Sequence, residues 1–171
     1  MIEQLLDNAN DRIIEFANLG NMYIRLRLDY ITMQSENQII FHKAVQPSQM
    51  QEYVKFYVRR IEIEKQLKEM AISLNEKYND AIQNLFEGLE IDNIMSFDIE
   101  IIKKLQGILS KLNSIANIDV FKGILYLNDV NRLTMQKIVD SLNGKNDYPQ
   151  FLQIVNQIML LLNLKKIDNI V

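Results

Sequence analysis

The side chains that most often perform catalysis or bind metal are scarce in this sequence of 171 residues. It contains no cysteine and one histidine, His42. Thiolate metal sites, thiol nucleophiles and any centre that needs two histidines are therefore excluded. A Ser-His-Asp triad would have to use His42 as its base, but this residue lies at the predicted end of a helix, with no strained turn nearby to present a nucleophile. We therefore predict no catalytic residue.

Carboxylates offer the remaining route to metal chemistry. Glu62, Glu64 and Glu69 form the densest cluster, and the first and last of these are seven residues apart, so they share a helix face. Lys65 and Lys68 lie among them, which is typical of a solvated face and not of a magnesium site. The five glycines stand alone and form no phosphate-binding loop. The sequence predicts no metal, no cofactor, no small-molecule substrate and no enzymatic activity.

Basic and aromatic residues suggest a nucleic-acid surface as an alternative function. The two kinds interleave over residues 53–60, as in proteins that stack single strands on aromatic rings. The candidate residues are Arg25, Lys43, Tyr53, Lys55, Tyr57, Arg59 and Arg60. The net charge of −3, from 19 basic and 22 acidic residues, disfavours this alternative. Salt bridges within or between subunits are the favoured explanation for the arginines.

Long helices must carry these residues. From residue 48 to 87 there is neither glycine nor proline, and Ser48 with Gln51 has the form of a capping box. Apolar residues recur there at intervals of three and four: Ile63, Leu67, Met70, Leu74, Tyr78, Ala81 and Leu85. Residues 2–43 are also predicted to be helical, interrupted only by Gly20, which marks a kink or a close contact. Two helices of about 40 residues, each about 60 Å long, would form an antiparallel hairpin with residue i roughly opposite residue 92 − i.

Shorter elements are predicted for the C-terminal third. They are a helix over 98–116, a segment over 119–127, a helix capped by Asp129 and a last helix entered at Pro149. The segment 119–127 fits a short helix capped by Asp119, and residues 121–127 fit a strand as the alternative. The predicted fold class is all-α: residues 1–90 form a long, coiled-coil-like helical hairpin, and residues 91–171 form a compact bundle of three to four shorter helices that packs on it as part of one continuous domain.

The middle of the first helix is apolar nearly all round between residues 19 and 33. Such a helix is buried on several sides, which a two-helix rod alone cannot achieve, so the C-terminal third or a second copy must cover it. The candidate partner or oligomer interface is Leu19, Met22, Tyr23, Leu26, Ile31 and Met33. We expect a dimer or larger species, and we expect a charge at Ile24 or Leu28 to cost several kcal/mol as an uncompensated buried charge.

These features favour a non-enzymatic protein–protein interaction or assembly protein, oligomeric or part of a larger complex. The 25 Ile and 18 Asn against 6 Ala suggest an A/T-rich genome, and a phage or viral structural, assembly or host-factor-blocking protein is one setting. No apolar run approaches the length of a membrane-spanning helix. Residues 1–6 lack the basic start of a secretory signal. We therefore expect a cytoplasmic location and no membrane partner.

Overall fold

Five α-helices and one 3₁₀ turn make up the computed structural model, which describes residues 2–41, 50–88, 99–142 and 149–162. The elements are α1 (Ile2–Phe41), α2 (Met50–Gly88), α3 (Ile99–Ala116), a 3₁₀ turn (Asp119–Phe121), α4 (Asp129–Leu142) and α5 (Pro149–Leu162). The all-α fold is confirmed, with two long helices of 40 and 39 residues followed by shorter ones. His42, Lys43, the capping serine Ser48 and the predicted boundary at residues 90–91 lie outside the described residues.

The two long helices pack antiparallel along a seam of buried side chains. The ring of Phe16 meets that of Tyr78 edge-on at 5.8 Å, and the Tyr30 hydroxyl donates to Glu64 Oε1 at 2.6 Å. In both pairs the residue numbers add up to 94. The predicted register requires a sum of 92, so the hairpin is offset from it by two residues. Of the predicted seam on α2, every residue is buried except Met70, which is half-buried.

Helix α3 lies along the first half of α1. Lys104 Nζ contacts Glu3 Oε1 at 3.2 Å, and Lys111 Nζ contacts Asn10 Oδ1 at 3.1 Å. Both pairs are 101 residues apart, so α3 runs parallel to α1. Two side-chain hydrogen bonds between α3 and α5 likewise join residues that are 44 positions apart in the sequence. The helix α3 is therefore placed between the hairpin and α5, with α5 running in the same direction.

The 3₁₀ turn inserts one aromatic ring against the hairpin. The ring centroid of Phe121 lies 5.6 Å from that of Phe16 and 6.5 Å from that of Tyr23. The position that a Cβ atom would take on Gly20 is 2.9 Å from Phe121 Cζ. Because α1 is helical throughout, Gly20 does not interrupt it and instead permits this close contact.

A network of buried asparagines joins α2 to the segment before α4. The Tyr126 amide donates to Asn75 Oδ1 at 2.9 Å, and Asn79 Nδ2 donates to the Tyr126 carbonyl at 2.8 Å. The Asn128 amide donates to Asn79 Oδ1 at 2.9 Å. Of the short helix predicted over 119–127, the 3₁₀ turn at Asp119–Phe121 forms, and the alternative of a strand over 121–127 was wrong. The segment that follows the turn is irregular, because side-chain amides of α2 bond to its backbone. Asn128 Oδ1 accepts from the Asn131 amide at 2.8 Å, so α4 is capped one residue before Asp129.

Candidate interaction surface

The described residues contain no group of three acidic or histidine side chains placed to hold a metal ion. None of the helices in the described ranges is long and apolar enough to cross a bilayer. An open groove of about 460 Å³ lies between α1 and α3. Its polar rim is occupied by the contacts of Lys104 with Glu3 and of Lys111 with Asn10. These groups pair with one another, so the groove gives no support for a ligand site.

A polar cluster joins the two long helices beyond the C-terminal bundle. Glu64 Oε1 accepts from the Tyr30 hydroxyl at 2.6 Å and from Arg60 Nε at 3.2 Å, and Gln34 Nε2 donates to the Tyr30 hydroxyl at 2.9 Å. The hydrogen bond from Tyr30, together with that from Arg60, lowers the pKa of Glu64. Burial and the bond to Glu64 raise the pKa of Tyr30. Arg60 thus belongs to a structural ion pair.

The other basic candidates do not share one face with the aromatic ones. Lys55 and Arg59 are exposed and four residues apart, so they are neighbours on α2. Tyr57 stands two residues from each of them, which places it about 200° away around the helix. The acidic residues Glu52 and Glu62 border the basic pair. The stacking arrangement that favoured nucleic acid is therefore not formed by these side chains.

The remaining candidates are separated by the fold. Tyr53 is half-buried, and Arg25 is exposed on α1. Lys43 lies outside the described residues. Burial raises the pKa of Tyr23, and the nearby Arg27 guanidinium partly opposes this rise. These placements favour structural roles for the arginines inside the hairpin.

The predicted partner interface divides into buried and exposed residues. Tyr23 and Met33 are buried in the core of this chain, while Leu19 and Leu26 are half-buried and pack against it. Met22 and Ile31 are exposed. The ring contacts and hydrogen bonds from the C-terminal third to α1 fall between residues 3 and 23. The described contacts of the C-terminal third therefore cover the first part of the segment that required a cover.

The exposure of Leu28 contradicts a prediction made from the sequence. Its side chain is 58% exposed, so the predicted cost of several kcal/mol for a charge at this position was wrong. The cause is the direction that the residue faces: the seam on this part of α1 is formed by Tyr30 and Met33, and no other described α1 side chain beyond Tyr23 is buried. Leu28 faces solvent beyond the reach of the described bundle contacts.

The same face of α2 changes from buried to exposed along the helix. Steps of seven residues return to the same face of a supercoiled helix. One such series runs from Ile82 through Asn75 and Lys68 to Ile61 and Val54. The first two are buried, and Asn75 bonds to the C-terminal third. Ile61 is 48% and Val54 53% exposed. The face that receives the bundle thus continues as an apolar, uncovered surface.

The face of α1 that contacts the bundle also continues as an exposed apolar surface. Glu3 and Asn10 contact α3, and further steps of seven residues lead to Ile24 and Ile31. Ile31 is 48% exposed, with Leu28 beside it. On both long helices, the side that contacts the bundle continues beyond it. The exposed apolar residues of these continuations lie on one side of the hairpin. We call this surface the distal apolar face: Leu28, Ile31, Val54, Tyr57, Val58 and Ile61.

Its size is similar to that of the largest apolar patch on a typical monomeric protein, and such patches are often functional. Each of the six side chains is about half exposed, which gives several hundred Å² of apolar surface in total. Monomeric proteins rarely expose contiguous apolar patches much larger than this. Sequence reasoning missed the three aliphatic residues on α2, Val54, Val58 and Ile61. Their spacing by four and three is visible in the sequence, but it has meaning only once the seam with α1 is assigned to a different face.

Comparison with protein-family models, curated proteins and solved structures finds no significant match. The function must therefore be inferred from the residues of this chain. Among its described surfaces, the distal apolar face combines exposure, apolar character and a place on two rigid helices.

Proposed function

We propose that this chain is a non-enzymatic helical interaction protein that binds another protein chain through the distal apolar face. The observation that carries the proposal is the exposure of Val54, Val58 and Ile61 on the face of α2 that is buried nearer the bundle. Apolar surface left in water costs roughly 25 cal/mol per Å². Covering this face would therefore stabilise a complex, and the rigid helices would lose little conformational entropy on binding.

The chemistry of the face supports a protein partner over nucleic acid. Nucleic-acid surfaces gain most of their affinity from lysines and arginines that neutralise phosphates. The exposed pair Lys55 and Arg59 lies beside this face on α2 and not within it, and it is bordered by Glu52 and Glu62. Aliphatic side chains such as Val58 contribute little to phosphate binding but suit the centre of a protein interface.

The test is the native mass of the protein isolated from cells that express it. Wild type is expected to carry additional polypeptide mass, either a second copy or another protein, and Val58→Glu is expected to lose it. Leu133→Glu is the matched control, because this α4 leucine is 65% exposed and lies away from the face. It should retain the additional mass. A bare monomer for wild type, or equal loss in both variants, would contradict the proposal.

The same preparation distinguishes the nucleic-acid alternative. Arg59→Glu reverses a charge on the basic pair and leaves the apolar face unchanged. If the isolated protein carries nucleic acid that Arg59→Glu removes and Val58→Glu does not, the alternative function is favoured. We expect no such nucleic acid at low salt, where electrostatic binding is strongest.

A further inference from the structure

We propose that the occupant of the distal apolar face is a second copy of this chain, with the two α2 helices packed antiparallel about a two-fold axis between Tyr57 and Val58. This inference rests on the proposed function and specifies the partner. It is carried by the spacing of the apolar residues, by the charges beside them and by the position of the bundle.

The spacing of the exposed apolar residues on α2 is symmetric. Val54 and Ile61 are equidistant from the midpoint between Tyr57 and Val58. In an antiparallel pair centred there, Val54 of one copy lies opposite Ile61 of the second, and Tyr57 lies opposite Val58. A two-fold interface requires a patch that is complementary to itself, and this series of residues meets that requirement.

The charges at the edge of the face favour the same arrangement. Lys55 and Glu62 are exposed, and the salt bridges among the described residues include neither of them. They are seven residues apart and occupy the same edge of α2. The antiparallel arrangement brings Lys55 of one copy beside Glu62 of the second, and symmetry forms this pair twice. In a parallel two-fold pair the edge of one helix faces the opposite edge of the other, so Lys55 and Glu62 would not meet.

The C-terminal bundle selects the antiparallel direction on steric grounds. It lies on the same side of the hairpin, where Asn75 and Asn79 of α2 bond to Tyr126. A parallel copy would bring two bundles to the same level on facing surfaces. An antiparallel copy overlaps only the distal halves and leaves the bundles at opposite ends.

The surface available is sufficient for a modest dimer. Six half-exposed apolar side chains per copy give several hundred Å², compared with about 800 Å² per partner in a standard interface. We therefore expect the purified full-length chain to sediment as a dimer at tens of micromolar and to dissociate on dilution.

Single cysteines test the geometry, because the chain contains none of its own. Val58 lies within one residue of the proposed axis, so two copies of Val58→Cys should be joined by a short thiol-reactive cross-linker. Met50 lies near one end of α2 and would be about 22 Å along the helix from its counterpart, so Met50→Cys should not be joined. Cross-linking of both variants would indicate a parallel pair and overturn the proposal. Cross-linking of neither would overturn it as well.

Charge reversal tests the register independently. Lys55→Glu and Glu62→Lys should each raise the dissociation constant of the dimer about fivefold, and the double variant should restore it. Val58→Glu should raise it at least about tenfold while its unfolding temperature stays close to that of wild type, because the side chain is already half exposed. No effect of either single reversal would overturn the antiparallel register.

The two proposals fail in different ways. A monomeric purified chain whose cellular complex holds a different protein, lost in Val58→Glu, overturns the second-copy inference and supports the proposed function. A monomer both when purified and when isolated from cells overturns both.

Discussion

The Cζ atom of Phe121 lies 2.9 Å from the position that a Cβ atom would occupy on Gly20. The ring is held there by edge contacts with Phe16 and by Tyr23 on the next turn of α1. The absence of a side chain at Gly20 thus allows the turn after α3 to dock on the hairpin. Tyr23 marks how far along α1 the described ring contacts of the C-terminal third extend.

Gly20→Ala should destabilise the protein. The added methyl group would meet Phe121, which is 3% exposed and enclosed by other rings. We expect the overpacking cost to exceed the gain in helix propensity and to lower the free energy of unfolding by about 1–2 kcal/mol. Urea denaturation measures this difference. An unfolding free energy equal to or above that of wild type would show that the ring moves aside freely.

Gly107→Ala should have the opposite effect. This glycine is an exposed residue within α3, and a Cβ atom there would meet nothing within 4 Å. Removing a flexible residue from a helix interior should therefore raise the free energy of unfolding by about 0.5–1 kcal/mol. The same urea experiment measures it, and a loss of stability would contradict the open position of Gly107.

Asn79→Ala should be among the most destabilising polar substitutions. It removes partners from the Tyr126 carbonyl, the Asn128 amide and Asn131 Nδ2, which donates to the Asn79 side-chain oxygen at 3.0 Å. Buried groups left without partners should cost about 2–4 kcal/mol in total. Denaturant unfolding measures the loss, and faster hydrogen exchange at the Asn128 amide would locate it.

Asn84→Ala provides the matched control on the same helix. Asn84 Nδ2 donates to the Asp80 carbonyl at 2.7 Å, but the side chain is exposed and contacts no other element through a hydrogen bond in the described residues. Its replacement should change the free energy of unfolding by no more than about 0.5 kcal/mol. Equal losses for Asn79→Ala and Asn84→Ala would contradict the structural role of the asparagine network.

Tyr30→Phe should raise the pKa of Glu64. The hydrogen bond from Tyr30 is the largest cause that lowers this pKa, followed in the same direction by Arg60. A carboxyl whose pKa is lowered by folding contributes stability above its unfolded pKa, about 4.3, and this contribution is lost as the pH falls through the folded pKa. The difference in stability between wild type and Tyr30→Phe should therefore shrink on acidification, and NMR titration of Glu64 should show the pKa shift. An unchanged Glu64 pKa would contradict the assigned cause.

Leu28→Glu should leave the isolated chain folded with a change of less than about 1 kcal/mol. Met33→Glu, five residues further along α1, should cost more than about 3 kcal/mol, because Met33 is 7% exposed in the seam with α2. Thermal unfolding of both variants measures the contrast. A large loss for Leu28→Glu at concentrations where the protein is monomeric would place this residue in a core.

Local features of the sequence predicted the helices well. Scarce glycine and proline, together with apolar intervals of three and four, defined α1 and α2 to within a few residues, because helix formation depends on local spacing. Pro149 marked the start of α5. The irregular stretch at residues 125–128 was not predicted, because its backbone bonds to Asn75 and Asn79, about 50 residues away, and local propensity carries no information about such partners.

The sequence by itself determined the all-α class, the long hairpin, its seam and the absence of cysteine chemistry. Only the tertiary structure decided which apolar residues remain uncovered. Leu28 and Met33 are equally apolar in sequence, yet one faces solvent and the other the seam, because the hairpin register and the docking of Phe121 on Gly20 select the buried faces. Burial is a property of the whole packing arrangement, and so is the distal apolar face that follows from it.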